Sequence, residues 1–236
     1  MIRFLNDVSV ELVKHRAADS DVLWAARVST TGERAALADE NEQRDAGLIN
    51  FLMRDRHGSP FEHISFTFLV KAPIFVAREH MRHRAGWSYN EESGRYRELE
   101  PVFYIPARDR KLVQEGRPGE YTFVEGDDRH FSIMQASLKY AYDWAFWCYQ
   151  NMLKAGIARE VARMSLPVGI FTTYYATCNA RSLMHFLSLR TRSEDAKVPS
   201  FPQREIEMVA ERMETFFQVA MPITHAAFVE HGRVAP

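Results

Sequence analysis

The segment from Arg78 to Arg97 limits how the chain can fold, because no simple apolar period runs through its second half. Its twenty residues include five arginines, three glutamates and two histidines, with Trp87, Tyr89 and Tyr96 placed between the charges. Arginine presents a planar fork of donors that fits phosphate and carboxylate groups. We therefore interpret the segment as a binding element for a ligand with phosphates and flat rings, that is, a nucleotide. A solvated charged loop is the alternative.

The composition of the chain bounds its class and its partners. It has 236 residues, of which 46% are apolar, so a sizeable core is available and a single domain over residues 1–236 is expected. The net charge is −1, so no overall field attracts nucleic acid and any anion site must be local. No apolar run approaches the roughly 20 residues that cross a bilayer, and the first residues lack a signal-peptide block. We expect a cytoplasmic protein without nucleic-acid or membrane partners.

Several common chemical motifs are missing from the sequence. It has no GxGxxG motif, no P-loop and no GxSxG elbow, so neither a Rossmann dinucleotide site nor a serine hydrolase is expected. His57, Glu62 and His63 share one turn, but not at the spacing of a helical HExxH site, so hydrogen bonding to a ligand or to backbone is expected and no metal. Cys148 and Cys178 have no paired spacing, which argues for a reducing compartment.

Hydrophobic patterning predicts an α+β fold in which helices pack against an antiparallel sheet. Residues 64–71 alternate apolar and polar side chains and residues 170–177 are β-branched and aromatic, so both are predicted strands. Helices are predicted over residues 20–29, 41–54, 73–82, 128–155, 158–166, 179–190 and 203–219. Residues 107–126 are predicted to form a mobile excursion, and a short tail is predicted after Pro222.

Two features of these predicted elements bear on function. The helix over residues 128–155 carries an aromatic cluster that includes Trp144 and Trp147, which predicts core packing or a subunit contact. A non-enzymatic nucleic-acid binder would also use arginines and aromatic residues, but it would usually carry a basic excess, which this chain lacks. Six arginines stand beside predicted element ends, where they could converge on an anion-rich site: Arg82, Arg84, Arg95, Arg163, Arg181 and Arg190.

Several blocks of the chain resemble the flavin-dependent thymidylate synthases. The charged segment contains Arg-His-Arg at residues 82–84 and Ser-Gly-Arg-Tyr at residues 93–96, similar to the family pattern of Arg-His-Arg, seven residues and then Ser. Eight residues separate Arg84 from Ser93 in this chain, so one residue is inserted near Gly86 and Trp87. Further blocks that look like the family's lie in order at residues 26–29, 59–63, 71–78, 159–163 and 179–183.

The resemblance implies reductive methylation of dUMP to dTMP. Methylenetetrahydrofolate would supply the carbon, FAD would pass a hydride to the uracil ring, and NADPH would reduce the flavin again. The resemblance also implies a homotetramer whose sites are shared between subunits, with dUMP and the folate as small-molecule partners. A non-catalytic flavin- or nucleotide-binding module is the alternative.

The resemblance also assigns residues to the two ligands. The residues that match FAD-contacting positions are Ser59, Arg82, His83, Arg84, Glu91, Asn179, Ala180, Arg181 and His185. The residues that match dUMP-contacting positions are Glu79, His80, Met81, Arg82, Glu91, Glu92, Ser93, Gly94, Arg95, Arg163 and Arg190. Glu79 and His185 depart from the family, in which glutamine and asparagine are frequent at these positions.

Arg190 is the predicted catalytic residue, because it matches the family position that activates the uracil ring. A cation beside the ring nitrogen and carbonyl withdraws charge and makes carbon 6 a better hydride acceptor. Neither Ser93 nor Cys178 is predicted to be an obligatory nucleophile. No base stands at a fixed spacing to activate Ser93, and Cys178 is expected to be a packing residue.

Overall fold

The computed structural model describes residues 1–32, 42–117 and 120–236. The strands are β1 (Arg3–Leu5), β2 (Ser9–Arg16), β3 (Ser65–Pro73), β4 (Trp87–Glu91), β5 (Val102–Tyr104), β6 (Val113–Arg117), β7 (Glu120–Val124) and β8 (Phe171–Cys178). The helices are α1 (Asp19–Thr31), α2 (Glu42–Arg54), α3 (Ile74–His80), α4 (Asp128–Lys154), α5 (Arg159–Ala162), α6 (Ala180–Arg190), α7 (Arg204–Ala220) and α8 (Pro222–Glu230), with 3₁₀ helices at Ser59–His63 and Arg163–Ser165. Residue 41 of the predicted helix 41–54 and residues 118 and 119 of the predicted excursion lie outside the described residues.

The chain divides into two compact units. The first unit comprises Met1–Val8, Ala72–Ala77 and Glu92–Thr172. The second unit comprises Ser9–Lys71, Arg78–Glu91 and Thr173–Pro236. The expectation of a single domain over residues 1–236 stays a prediction. Over the ranges that the structure describes, no helix is both long enough and apolar enough to span a membrane.

The main sheet has the strand order β2-β3-β8-β4, and its pairs β2–β3 and β8–β4 are antiparallel. Strand β3 confirms the alternation seen in the sequence, because Phe66, Phe68 and Val70 are fully buried on one face. Pro73 ends this strand and does not begin the next helix. The predicted antiparallel sheet packed with helices is confirmed.

Helix α6 begins where the sequence predicts it. The Asn179 side chain accepts a hydrogen bond from Ser182 N at 2.8 Å and so caps the helix. Leu183, Phe186 and Leu187 form its buried side. In α2, by contrast, helical spacing predicts Leu48, Phe51 and Leu52 as the buried side, but Phe51 is 43% exposed, while Ile49, Leu52 and Met53 are buried.

The prediction of a short tail after Pro222 is wrong, because α8 begins there. Proline is accommodated at the first helical position, where its missing N–H is not needed. The Asp19 carboxylate accepts hydrogen bonds from Ile223 N at 3.0 Å and from Thr224 N at 2.9 Å. The helix therefore has a cap from a residue about two hundred positions earlier in the chain, which no local pattern shows.

The core of the first unit lies between α4 and the short parallel pair β1–β5. The Phe103 ring stacks on Tyr142 of α4 at 4.7 Å between ring centroids, and Ile170 packs beside them. The predicted mobile excursion contains the antiparallel pair β6–β7, which the sequence pattern did not predict. Helix α4 confirms the longest predicted helix, and Asp127 caps it by accepting from His130 N.

Candidate active site

The turn after α3 carries the first part of the Arg-His-Arg motif, Arg82 and His83. Arg82 N donates to Glu79 O at 3.2 Å and His83 N donates to His80 O at 3.0 Å, so the chain turns sharply after the helix. The motif residues therefore lie in the connection between α3 and β4. Met81 is half-buried within it, and Arg82 is exposed.

A second tight turn lies at Gly86, where Trp87 N donates to Arg84 O at 3.2 Å. Gly86 has φ +69°, a conformation that favours glycine. A Cβ atom at Gly86 would lie 2.1 Å from Ser182 Oγ and 2.8 Å from Asn179 Nδ2, so only glycine fits this close approach to α6. Ser182 Oγ donates to Ala85 O at 2.8 Å and joins the turn to the first turn of the helix.

Arg190, the last residue of α6, is held by two residues of the charged segment. Its Nε donates to His83 Nε2 at 3.1 Å, and its Nη1 donates to Glu79 Oε2 at 3.2 Å. Because a guanidinium has donors only, His83 Nε2 must be the acceptor, and the imidazole carries its proton on Nδ1. Burial and the neighbouring Arg190 lower the pKa of His83 to about 4, so the ring is neutral at pH 7.

Glu79 stands in an environment with opposing effects on its charge. Burial raises the pKa of the Glu79 carboxyl, Arg190 acts in the opposite direction, and Glu205 raises it further. The ion pair with Arg190 is partly shielded from water, since the side chains are 30% and 23% exposed. Glu79 therefore both orients the guanidinium and offsets part of its charge.

His80 occupies a buried aromatic cluster. Its side chain is fully buried, its Nδ1 lies 3.0 Å from Tyr174 Oη, and its ring contacts those of Trp87, Tyr89 and Phe186. Burial lowers the pKa of His80 to about 3, and His80 Nε2 has no hydrogen-bond partner among the described residues. A contact of His80 with dUMP would therefore use its backbone; the side chain packs.

A cavity of about 490 Å³ opens in the second unit beside the motif. Its lining residues are Glu62, His83, Arg84, Ala85, Gly86, Trp87, Asn179, Arg181, Ser182 and His185. Five of the predicted FAD-contacting residues are among them: His83, Arg84, Asn179, Arg181 and His185. Ala180 is buried in the first turn of α6, while Ser59, Arg82 and Glu91 are exposed and are not among the lining residues.

Two guanidinium groups and one carboxylate line the cavity, those of Arg84, Arg181 and Glu62. Arg181 donates through Nη1 to Glu62 Oε1 at 2.6 Å and through Nε to Pro236 O at 2.6 Å, so its guanidinium is oriented by two acceptors. Burial and the cation of Arg181 lower the pKa of His185, which keeps that imidazole neutral. Among the described residues, no group of three or more His, Cys, Asp or Glu side chains could hold a metal ion.

Residues 93–97 of the first unit form a compact turn of their own. Ser93 O accepts from Tyr96 N at 3.0 Å and from Arg97 N at 3.2 Å, and Ser93 Oγ accepts from Arg95 N at 3.3 Å. Arg95 Nε donates to Glu160 Oε2 at 3.0 Å.

Three further predicted dUMP residues lie in this turn or contact it: Gly94, Arg163 and Glu92. A Cβ atom at the buried Gly94 would lie 3.2 Å from Arg163 Cδ, so the arginine stem packs on this glycine. Glu92 forms an ion pair with Arg97 at 3.5 Å. The first unit thus brings together Ser93, Gly94, Arg95 and Arg163, whose polar groups suit a phosphate.

Sequence reasoning did not assign Glu62, Trp87 or Ser182 to FAD, although all three line this cavity. Each lies in a stretch that the sequence did single out: the block 59–63, the charged segment and the block 179–183. Cys178 lies at the end of β8, buried, and its burial raises the pKa of the thiol. A reactive thiolate is therefore disfavoured at this position.

Comparisons with known proteins identify the family to which the chain belongs. A family model described as thymidylate synthase complementing protein matches residues 11–223. The flavin-dependent thymidylate synthase of Streptomyces avermitilis is 66% identical over 99% of this chain and 95% of its own length, and that of Thermotoga neapolitana is 39% identical over 94% and 91%. The crystal structure of the UMP/dUMP methylase PolB from Streptomyces cacaoi, bound with 5-Br dUMP, has a TM-score of 0.95 and 55% identity over 100% of both chains. The chain belongs to the flavin-dependent thymidylate synthase family.

Proposed function

We propose that this chain converts dUMP to dTMP, with methylenetetrahydrofolate as the carbon donor and FAD as the carrier of a hydride from NADPH. One observation carries the proposal. Arg190, the residue predicted to activate uracil, is hydrogen-bonded to His83, and His83 lines the cavity that also contains four other predicted flavin residues. The family membership of the chain supports the same chemistry.

The residues of the cavity fit a flavin dinucleotide. Arg84 and Arg181 offer guanidinium donors to a pyrophosphate, and the capped N-terminus of α6 at Asn179 adds backbone N–H groups. Trp87 offers a flat face, and Gly86 lets the turn approach the helix without a side chain between them. When bound, FAD supplies the hydride chemistry, and the chain's residues bind and orient it.

Arg190 is the residue to which we assign activation of the substrate. Its hydrogen bonds to His83 and Glu79 use Nε and Nη1, so Nη2 remains to donate to the uracil edge. A cation fixed there stabilises the negative charge that builds up on the ring as the hydride arrives at carbon 6. Because the guanidinium is already held, little reorganisation is needed at that moment. In the first unit, Ser93, Gly94, Arg95 and Arg163 are the proposed phosphate donors.

A homotetramer with sites shared between subunits belongs to the proposal. On α4, Ile133, Tyr140, Trp144 and Trp147 are 55–76% exposed, and the two tryptophan rings stack at 4.7 Å. Such an exposed apolar patch is typical of an interface between subunits. We also propose a cytoplasmic location, since both cysteines are free thiols.

A second substrate, UMP, is favoured by one observation. The PolB structure bound with 5-Br UMP, from a UMP/dUMP methylase, has a TM-score of 0.92 and 54% identity to this chain. Whether the ribose 2′-hydroxyl is accepted therefore needs to be measured together with the main activity.

The test is a direct product assay. The purified protein is incubated with FAD, NADPH and methylenetetrahydrofolate labelled in its methylene carbon, with either dUMP or UMP, and the labelled methylated nucleotide is quantified. We expect labelled dTMP to form only when FAD, NADPH, methylenetetrahydrofolate and dUMP are all present. A protein that binds FAD but forms no methylated nucleotide would instead be the non-catalytic flavin-binding module.

A further inference from the structure

Tyr89 of β4 has an unusual set of partners. Its hydroxyl lies 2.9 Å from His80 O and 2.9 Å from His83 O, the two carbonyls at the ends of the turn that carries the motif. Since a tyrosine hydroxyl has one proton to donate, the two carbonyls share it. No ligand role assigned above involves Tyr89, so its link to this turn calls for a separate explanation.

The position of this hydroxyl is set by the sheet. Strand β4 pairs with β8 with Tyr89 opposite Ala176 and Trp87 opposite Cys178. The Tyr89 ring lies parallel to Trp87 at 5.7 Å and stands edge-on to His80 at 5.3 Å. Burial raises the pKa of Tyr89, so the hydroxyl keeps its proton and remains a donor.

His83 is therefore held at two points. Its backbone carbonyl accepts from Tyr89, and its ring Nε2 accepts from Arg190. Phe186 of α6 contacts the same imidazole edge-to-face at 4.9 Å. A chain of contacts thus runs from the sheet through Tyr89 and His83 to the guanidinium of Arg190.

We propose that Tyr89 is a positioning residue, which fixes His83 and through it the Arg190 guanidinium for the reaction on the nucleotide. This inference rests on the proposed function of Arg190. The competing explanation is that Tyr89 only packs, as one ring in the cluster around His80. Tyr89→Phe separates the two explanations, because it removes the hydroxyl and keeps the ring.

Tyr174→Phe is the matched control. Tyr174 belongs to the same cluster, and its hydroxyl lies 3.0 Å from His80 Nδ1 and so binds the His80 ring, not the turn carbonyls. Both variants lose one hydrogen-bonded hydroxyl, so both are expected to lower the melting temperature. The positioning role predicts a defect in one half-reaction for Tyr89→Phe alone.

The experiment uses FAD-loaded protein and two readouts. Hydrogen–deuterium exchange by mass spectrometry reports on the backbone amides of a peptide covering residues 79–86. Their protection factors should fall about tenfold in Tyr89→Phe. In anaerobic single-turnover runs, oxidation of the reduced flavin by dUMP and methylenetetrahydrofolate should slow about tenfold, while reduction by NADPH stays within about twofold. Tyr174→Phe should keep both rates. Unchanged exchange, or lost protection with wild-type rates, would overturn the positioning role.

The two proposals can fail separately. If the wild-type protein forms no methylated nucleotide, the proposed function fails. The positioning role of Tyr89 is then decided by hydrogen–deuterium exchange and by the affinity for FAD, measured by fluorescence titration. Lost protection with weaker FAD binding in Tyr89→Phe, absent in Tyr174→Phe, would keep Tyr89 as the residue that positions His83. If Tyr89→Phe changes neither the hydrogen–deuterium exchange nor the FAD affinity, the positioning role of Tyr89 is overturned.

Discussion

Arg190 and Arg95 both match dUMP-contacting positions, yet the protein holds them in different ways. Arg190 is 23% exposed and donates to both Glu79 and His83. Arg95 is 53% exposed and pairs with Glu160, which is 54% exposed. An exposed pair of this kind contributes about 0–1 kcal/mol and is readily exchanged for a ligand. We therefore expect the orientation of the guanidinium to matter at Arg190 and a positive charge to suffice at Arg95.

The largest expected effect is that of Arg190→Lys. Lysine keeps the charge but cannot reproduce the planar fork that joins Glu79, His83 and a ligand. The variant should fold, retain FAD and be reduced by NADPH, while oxidation of its flavin by dUMP and methylenetetrahydrofolate slows at least about 100-fold, or ~2.7 kcal/mol. Anaerobic single-turnover spectroscopy measures this. A wild-type rate would leave Arg190 as a cation at the end of α6, worth about 0.3–1 kcal/mol.

The two arginines of the Arg-His-Arg motif allow a second test, directed at the proposed FAD site. Arg82→Ala and Arg84→Ala are both expected to weaken FAD retention, since a hydrogen bond to a charged group contributes about 1.5–3 kcal/mol. Arg84 lines the cavity and should show the larger loss, about 10- to 100-fold in the dissociation constant. Titration of flavin-free protein with FAD gives the values. Full flavin content in both purified variants would contradict the assignment of the motif to the flavin.

The buried histidines predict how stability depends on pH. His80 has a pKa of about 3 in the folded state and about 6.5 when unfolded, so the unfolded chain binds more protons between these values. Its contribution is fully present above pH 6.5 and is lost as the pH falls towards 3, at ~1.4 kcal/mol per pH unit. His83 acts in the same direction, less strongly because it is only half-buried.

Urea unfolding at pH 7.5, 6.5 and 5.5 measures this slope. His80→Phe is the matched control, because a phenyl ring suits the aromatic cluster and cannot take up a proton. In this variant, the pH dependence of the free energy of unfolding should correspond to about one fewer proton taken up on unfolding. An unchanged slope in His80→Phe would mean that other groups cause the dependence.

A smaller effect is expected for Arg95→Lys. Phosphate binding at an exposed site tolerates a point charge, so the KM for dUMP should rise less than about tenfold and kcat should change little. Steady-state kinetics at two salt concentrations give both values. A loss as large as that of Arg190→Lys would remove the distinction between the two arginines and make the turn at Ser93 orientation-dependent too.

The smallest effect is expected for Cys178→Ala. The thiol is buried opposite Trp87, and its raised pKa disfavours the thiolate that a nucleophile requires. Turnover by the folded variant should stay within about tenfold of wild type, since Cys178 is a buried packing residue at the end of β8. Complete loss of turnover in a folded Cys178→Ala protein would indicate covalent catalysis.

Local patterns were sufficient for the elements whose stabilising contacts are local. The alternation in β3 and the start of α6 at its Asn179 cap depend on neighbours within a few residues, and the strand and helix predicted there are confirmed. Helix α8 was missed because its cap, Asp19, comes from the other end of the chain. Helical spacing predicts a buried Phe51, but tertiary packing buries Ile49 and Met53 and leaves Phe51 exposed.

The sequence by itself determined the family, the order of the motif blocks and the residue types that a nucleotide and a flavin require, because these are properties of residues near one another in the chain. Only the tertiary structure decided which side chains meet. Arg190 reaches His83 across 107 positions and Glu79 across 111. His80 is fully buried and belongs to the core, although it lies in a charged segment of the sequence. The physical reason is that burial and the orientation of donors depend on how the strands and helices pack, and spacing along the chain carries no record of that packing.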